Sequence, residues 1–293
     1  MNRRSWTLAV FAALISLIPA ERAYAQHQPV MDMAPRWQGG WGFQVRNTHR
    51  FSDELVAGDS ALANPFGRDR RINTTWLEGV YTLRRELRFT VKIPWVDQRR
   101  TVAQAGPAAQ ETGSGLGDVV LGLQLKRYYN KRSSTGNFGL TPSVRLPTGS
   151  TSNVYPVGDG SLDVGLSAAF SAEMANLYQY YVLYYWRNGE GTRGINQGDE
   201  LGFAMNVGIH PYHDNLRNIG VFLMGDLSAR YEARGEDTAG TTGGKRIALG
   251  PVLVAYMNNM MVRAELRFPV YETVLDSQIS HGTDTSIGIG FTF

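Results

Sequence analysis

Apolar and polar residues alternate one by one along most of this chain. The clearest run covers residues 87–95, and its apolar members are Leu87, Phe89, Val91, Ile93 and Trp95. The residues between them are Arg88, Thr90, Lys92 and Pro94. Successive side chains of a β-strand point to opposite faces, so a period of two predicts strands with one apolar and one polar face. The chain is therefore expected to be all-β.

Twelve such segments follow one another along the chain. They lie at residues 41–46, 72–83, 87–95, 118–126, 138–146, 162–171, 177–187, 201–209, 219–231, 247–255, 262–270 and 286–293. The second and the tenth have weak patterns, and merging or splitting them would change the count to roughly ten or fourteen. Pro142 is unusual inside a strand, because proline cannot donate a hydrogen bond to the ladder and favours edges or bulges.

The connections between these segments alternate in length. Short ones lie at 84–86, 175–176 and 257–260, and long ones at 52–70, 98–114, 148–160, 188–199, 233–245 and 272–282. Two others, 129–137 and 211–218, are longer than turns usually are. This pattern predicts a transmembrane antiparallel up-and-down β-barrel of about twelve strands, with short periplasmic turns and long extracellular loops. A soluble β-sandwich would share the alternation, but its sheets would not need long loops on one side only.

The N-terminus has the features of a secretory signal peptide. Arg3 and Arg4 precede a mostly apolar run at 6–18, and Ala23 and Ala25 form a small-x-small cleavage site. The apolar run is too short for a spanning helix, and an uncleaved anchor is the alternative interpretation. We therefore expect a signal peptide at 1–25, a periplasmic leader at 26–36 and an outer-membrane barrel at 37–293 in a Gram-negative cell.

Composition excludes several classes of function. The chain has no cysteine, so it can form neither disulfides nor thiolate metal sites. Its formal net charge of +3 is a small excess, and no basic patch indicates nucleic-acid binding. A mean hydropathy of −0.25 suits a barrel, in which only alternate strand residues face lipid.

The inward-facing strand positions carry many charged residues. The candidates for lining the lumen are Arg46, Arg88, Lys92, Asp118, Lys126, Arg145, Asp163, Asp226, Arg230, Arg263, Glu265 and Arg267. One interpretation is a paired charge lattice that stabilises the wall, and the other is a narrow pathway whose lining selects solutes. Where the first and last strands meet, four arginines face only Glu265 among charged residues, which predicts a basic wall favouring anionic solutes. These arginines are Arg46, Arg50, Arg263 and Arg267.

Three short motifs resemble a known family. They are Gly-Ser-Gly-Leu-Gly-Asp at 113–118, Leu-Pro-Thr-Gly at 146–149 and Gly-Asp-Gly-Ser-Leu-Asp at 158–163. With them, residues 41–293 are similar to the outer-membrane "transporter" family labelled for the MetA pathway of phenol degradation. The resemblance implies a barrel for passage of small, often aromatic or hydrophobic compounds, and it offers no catalytic residues. The terminal Phe293 also resembles the assembly signal of outer-membrane barrels, which implies the barrel assembly machinery as a partner.

Catalytic and metal sites have little support. An outer-membrane lipase or protease would need histidine with suitable partners. His210 and His213 fall in a predicted periplasmic turn, and His49 and His281 could approach each other near the extracellular rim without a Ser-Asn context. A cluster in the leader could bind copper but is better explained as plain linker. Its members are His27, Met31, Asp32 and Met33. We predict no catalytic residue, no metal and no cofactor.

The sequence thus predicts a monomeric outer-membrane channel for passive or facilitated uptake of small solutes, including aromatic or hydrophobic compounds. Its partners would be outer-membrane lipid, the assembly machinery and the solute. The alternative is a structural or adhesion barrel whose lumen is plugged. A barrel lipase or protease has the least support.

Overall fold

The computed structural model describes residues 37–102, 109–174, 176–192, 196–214, 216–237 and 240–293. The predicted signal peptide (1–25) and leader (26–36), with the possible copper ligands, lie outside the described residues. No helix within the described ranges is long and apolar enough to cross a membrane.

Fifteen strands form one antiparallel sheet. In chain order they are β1 Trp41–Ser52, β2 Leu55–Gly58, β3 Ser60–Leu62, β4 Arg70–Arg84, β5 Leu87–Val102, β6 Ala109–Leu116, β7 Val119–Lys131, β8 Ser134–Leu146, β9 Asp163–Met174, β10 Leu177–Arg187, β11 Glu200–Asp214, β12 Ile219–Asp237, β13 Gly240–Met257, β14 Met260–Ile279 and β15 Thr283–Thr292.

Twelve of these strands close into an up-and-down barrel. Each pairs with its neighbour along the chain, and β15 pairs with β1 from Gly42↔Thr292 to Phe51↔Thr283. The three remaining strands are additions at the extracellular end, where β6 pairs with β5 and the β2–β3 hairpin pairs with β14. The predicted fold class is confirmed, and each of the twelve predicted segments lies in a different barrel strand.

Several predicted connections are strand rather than loop. The segment 129–137 is mostly strand, because β7 continues to Lys131 and β8 begins at Ser134. Likewise β11 runs to Asp214, so the connection at 211–218 is shorter than predicted. On the other side, β12 and β13 extend through much of 233–245. Backbone pairing continues beyond the apolar band, where both faces are polar and the alternation disappears from the sequence.

The two faces of the wall differ as the alternation predicts. On β1, Trp41, Phe43 and Val45 are exposed on the outside, while Gln44 and Arg46 are buried. Trp41, the first residue of β1, packs against Tyr81 of β4 with ring centroids 4.5 Å apart. An apolar band edged by aromatic side chains is the surface that a barrel presents to lipid.

Prolines inside the strands coincide with interruptions of the ladder. The β7–β8 pairing lacks partners between Gly122↔Ser143 and Leu125↔Leu140, which is where Pro142 lies. The β13–β14 pairing has a similar gap at Pro251, and Pro269 and Pro211 lie at register shifts. Pro94 marks the point where β5 exchanges β7 for β6 as its partner. Because proline has no N–H to donate, these are the positions at which it does least harm.

Gly250 lies in the β13–β14 gap, and a Cβ added there would come 1.6 Å from the Leu266 carbonyl oxygen. We expect Gly250→Ala to lower the free energy of unfolding by about 2 kcal/mol, because the two backbones must move apart. Urea unfolding of the refolded barrel in lipid vesicles, followed by tryptophan fluorescence, measures the change. The matched control is Gly225→Ala on β12, where the nearest atom would be 3.9 Å away. Equal unfolding midpoints for the two variants would contradict this packing.

Candidate functional site

The barrel interior holds all twelve residues that the sequence predicted to line the lumen. Nine are buried, namely Arg46, Arg88, Lys92, Arg145, Asp163, Asp226, Arg230, Glu265 and Arg267. Three are half-buried, namely Asp118, Lys126 and Arg263. The structure thus places these side chains on the inner side of the barrel wall. Their part in solute passage stays a prediction.

A cluster of three ionic side chains lies on the inner face of the wall and links β1, β4 and β5. Glu78 of β4 accepts a hydrogen bond from Arg46 Nη2 at 2.9 Å, and its Oε1 lies 3.8 Å from Lys92 Nζ. The Glu78 side chain is completely buried. Burial of a carboxylate is tolerated only when cations compensate it, and here two do so. Glu78 was not among the predicted lumen-lining residues, because it lies in the weakly patterned second segment.

A second cluster joins β11, β12 and β14. Arg267 donates to Asp226 at 2.7 Å and pairs with Glu265, which also pairs with Arg263 at 3.0 Å. Arg263 donates in addition to the side-chain oxygen of Asn206 at 2.7 Å. These contacts connect β11, β12 and β14 across the inner face of β13, which lies between β12 and β14.

The prediction of a basic wall where the first and last strands meet is wrong, because its four arginines face more carboxylates than Glu265 alone. Arg46 pairs with Glu78, Arg267 pairs with Asp226, and Arg50 donates to Asp284 of β15 at 2.6 Å. Arg263 and Arg267 share Glu265, so each of the four arginines has a carboxylate partner. Asp284 was overlooked because the recognisable alternation of the last strand begins only at Ser286. The interpretation as a paired charge lattice describes this part of the wall.

Further ion pairs lie toward the extracellular end. Arg145 donates to Asp163 at 2.8 Å, and its guanidinium lies 4.7 Å from the centre of the Trp186 ring. Arg230 contacts Glu200 at 3.0 Å and also pairs with Glu232. Glu200 in turn accepts a hydrogen bond from Tyr184 at 2.8 Å. Glu200 was not predicted to lie inside the barrel, because a carboxylate at a strand end usually faces water.

The connection between β8 and β9, residues 147–162, folds into the barrel. Tyr155 is buried there, with an exposed fraction of 6%, and the Arg100 guanidinium lies 4.3 Å from its ring centre. Gln98 of β5 donates to the carbonyl of Pro156 at 2.6 Å. At the base of the connection, Gly149 donates its N–H to Asp118 at 2.8 Å. One of the predicted loops therefore occupies part of the lumen.

A chamber of about 180 Å³ lies beneath this inserted loop. Its apolar and aromatic lining includes Ile72, Trp76, Pro94, Val96, Val120, Tyr155 and Trp186. Its charged lining includes Arg50, Lys92, Asp118, Arg145, Asp159, Arg230 and Asp284. The chamber is thus a mixed surface with flat apolar walls and charges of both signs.

A second cavity, of about 110 Å³, lies toward the extracellular end and forms a vestibule. Tyr155, Gln197 and Arg230 line both the vestibule and the chamber. We call these three residues the neck, because they stand where the two spaces meet.

An aromatic cluster occupies the periplasmic end of the interior. His210 stacks on Phe222 with ring centroids 3.9 Å apart, and Tyr256 and Tyr178 pack against Phe222. His213 lies 5.1 Å from His210, between ring centres. Both histidines belong to β11 and not to a turn, which corrects the sequence-based placement.

The two histidines of the extracellular half do not approach each other. His49 is exposed on the outer face of β1, whereas His281 is buried and lines the vestibule. His281 instead contacts Asp284, with 3.3 Å between Nε2 and Oδ2. The barrel wall separates the two imidazoles, so the predicted proximity is wrong.

Asp118 lies in the linker between β6 and β7, at the edge of the chamber. Burial raises the pKa of its carboxyl from the usual 3.8 to about 6. The hydrogen bond from the Gly149 N–H lowers this pKa in part, and the nearby Asp159 carboxylate raises it. The folded protein therefore binds the Asp118 proton more tightly than the unfolded chain does.

Residues 63–274 match the family described as "Putative MetA-pathway of phenol degradation". The chain belongs to this family. Its structure is similar to that of the COG4313 outer membrane channel from Pseudomonas putida F1, with a TM-score of 0.71 and 15% identity over 91% of this chain and 100% of that chain. The beta domain of the Bordetella autotransporter BrkA aligns with a TM-score of 0.42 and 11% identity over 87% of this chain and 100% of that one. No curated protein matches in sequence. At such identities, the likeness to the channel establishes the fold.

In this member of the MetA-pathway family, Glu78→Gln would remove the buried carboxylate that pairs with both Arg46 and Lys92. We expect a loss of about 3–5 kcal/mol in the free energy of unfolding, the usual result of removing one partner of a buried pair. Urea unfolding in vesicles measures it. Asp214→Asn is the control, because its partner Arg217 is largely exposed and 3.8 Å away. A change no larger than that of the control would contradict the compensating role of Glu78.

The pKa of Asp118 predicts a pH-dependent effect of Asp118→Asn. The pKa of Asp118 is about 6 in the folded protein and 3.8 in its usual, unburied state. As the pH rises from about 4 through about 6, ionisation of Asp118 therefore lowers the free energy of unfolding. Asparagine retains the oxygen that accepts from Gly149 and carries no charge. The variant should therefore unfold at higher urea than wild type at pH 7.5 and at the same urea at pH 4. An equal difference at both pH values would refute the assignment.

Proposed function

We propose that this protein is an outer-membrane channel for passive or facilitated passage of small solutes, with a preference for compact aromatic or hydrophobic compounds. The observation that carries the proposal is the chamber below the neck, whose walls include Trp76, Tyr155 and Trp186. Membership of the MetA-pathway family supports an association with small aromatic compounds.

The size of the chamber favours one-ring solutes. Apolar cavities of about 150 Å³ accommodate a benzene ring, and the chamber measures about 180 Å³. Its tryptophan faces offer stacking surfaces. Its charged groups are held by partners on the wall, as in the pairs Arg145–Asp163 and Arg50–Asp284. A hydroxyl or carboxylate on the ring could exchange hydrogen bonds with these groups during passage.

The proposal includes a cell location and a route of assembly. The chain would be exported by the signal peptide at 1–25, cleaved near Ala25 and inserted as a monomer by the barrel assembly machinery. Phe293 would be read in that step. Support comes from the apolar outer band and from the fold shared with an outer membrane channel. A lipase or protease stays the alternative with the least support, because the barrel wall separates His49 from His281.

The alternative is a structural or adhesion barrel with a plugged lumen. Two observations favour it, namely the insertion of residues 147–162 and the buried ion clusters around Glu78 and Glu265. In that case the neck would be a permanent plug and the extracellular strands would perform the function. Measurement of solute flux separates this alternative from the channel.

Liposome swelling with the purified protein tests the channel. We expect faster swelling with phenol and benzoate than with a disaccharide, because only the former fit the chamber. Tyr155→Ala should increase the rate severalfold for every solute, since it removes the largest side chain of the neck. Phe138→Ala, on the outer face, is the control and should leave the rates unchanged. No swelling with any solute from a folded, heat-modifiable wild type and Tyr155→Ala variant would favour the plugged barrel.

A further inference from the structure

Exposed basic side chains are concentrated at one place on the periplasmic rim. They lie at the end of β4, in the β4–β5 turn, in the second half of β7 and in the β7–β8 turn, and they are Arg84, Arg85, Arg127, Lys131 and Arg132. None of the five forms an ion pair with another described residue. Glu86, the carboxylate of these two turns, is exposed and does not pair with them. We call these five residues the periplasmic basic patch.

The pairing of β5 with β7 places the β4–β5 turn beside the middle of β7. Leu87 is opposite Leu125, and the Lys126 N–H donates to the Glu86 carbonyl at 2.7 Å. Arg84 and Arg85 are therefore near Arg127 in space although more than forty residues separate them along the chain. Lys131 and Arg132 follow Arg127 at about 13–17 Å along the strand, so the charges form a row, and like charges in a row repel one another and attract an anion.

Two members of the patch point sideways from the barrel. The outward column of β7 contains Leu121, Leu123 and Leu125, and the two-residue period continues it through Arg127, Tyr129 and Lys131. Leu125 is 45% exposed on the apolar band, so Arg127 follows the band directly. Arg127 is thus at the edge of the apolar band, where a bilayer has its phosphates, and Lys131 lies four residues further toward the periplasm.

Two cations of the patch lie beside aromatic rings. The Lys131 ammonium lies 5.8 Å from the Tyr129 ring centre, and the Arg85 guanidinium lies 4.7 Å from that of Tyr128. Aromatic side chains are usual at the headgroup level of membrane proteins. A cation beside such a ring keeps its N–H donors free for an outside acceptor.

The opposite rim provides a contrast on the same outer wall. Arg71 of β4 and Arg99 of β5 are directly opposite each other, but both lie 3.7 Å from the Asp69 carboxylate. That pair of arginines has an internal counter-ion. The basic side chains Arg127 and Lys131 have none among the described residues, which leaves their charge for a partner outside the protein.

We propose that the periplasmic basic patch binds the phosphate of an anionic phospholipid, such as phosphatidylglycerol, in the periplasmic leaflet. Arg127 and Lys131 make the direct contacts, and the turn residues add attraction. The lateral direction of these two side chains favours lipid over a soluble acidic protein. The inference rests on the membrane location in the proposed function and not on solute passage, so a failure of either is recognised separately.

Partitioning of a fluorescent phosphatidylglycerol to the detergent-purified full chain tests the proposal, with phosphatidylcholine carrying the same label as reference. Loss of one basic residue near a lipid surface weakens attraction about fivefold, so Arg127→Gln with Lys131→Gln should bind phosphatidylglycerol about 25-fold more weakly. Binding of phosphatidylcholine should be weak and equal in both proteins. The difference should shrink in high salt, as expected for exposed charges.

The matched control replaces Arg71 and Arg99 with glutamine, which removes the same charge from the other rim. We expect this control to keep wild-type affinity for phosphatidylglycerol within about twofold. Heat-modifiable migration verifies that each variant is folded. Equal affinity of wild type and the Arg127/Lys131 variant, or equal losses in both double variants, would overturn the proposal. Unchanged liposome swelling in the Arg127/Lys131 variant would show that the lipid contact and the solute pathway are separate.

Discussion

Every backbone N–H and C=O within a bilayer must find its partner inside the protein, because hydrocarbon offers none. The pairing of β15 with β1 meets this requirement by joining the two ends of the sheet. All other features of the structure depend on that closure. It turns an amphipathic sheet into an apolar outer surface and an enclosed polar interior, and it restricts strand prolines to places where the ladder is already interrupted.

Closure also determines how the interior charges are used. A carboxylate such as Glu78 is enclosed with no access to bulk water, so its ion pairs with Arg46 and Lys92 become necessary. The same applies to Glu265 between Arg263 and Arg267. The first cluster links β1, β4 and β5, and the second links β11, β12 and β14. Residues 147–162 enter the barrel, and Tyr155, Gln197 and Arg230 line both the chamber and the vestibule.

Charge outside the barrel is distributed by a different rule. On the extracellular outer wall, Arg71 and Arg99 share Asp69, whereas the five cations of the periplasmic basic patch have no carboxylate partner among the described residues. A barrel wall has two lipid leaflets around it, and only one of them meets this patch. On the inner face, by contrast, Arg46, Arg50 and Arg267 pair with carboxylates of the wall itself.

The alternation of the sequence determined the all-β barrel, its strand number and the inward position of residues such as Arg145 and Arg267. This was possible because the period of two is a local consequence of strand geometry and of an apolar solvent. Only the tertiary structure decided which charges meet, since Arg50 and Asp284 are distant in sequence and come together through closure. It also decided that Tyr155 lies inside the lumen and His49 outside it. Such positions depend on hydrogen bonds between distant segments, as from Gln98 to Pro156, and no local pattern encodes them.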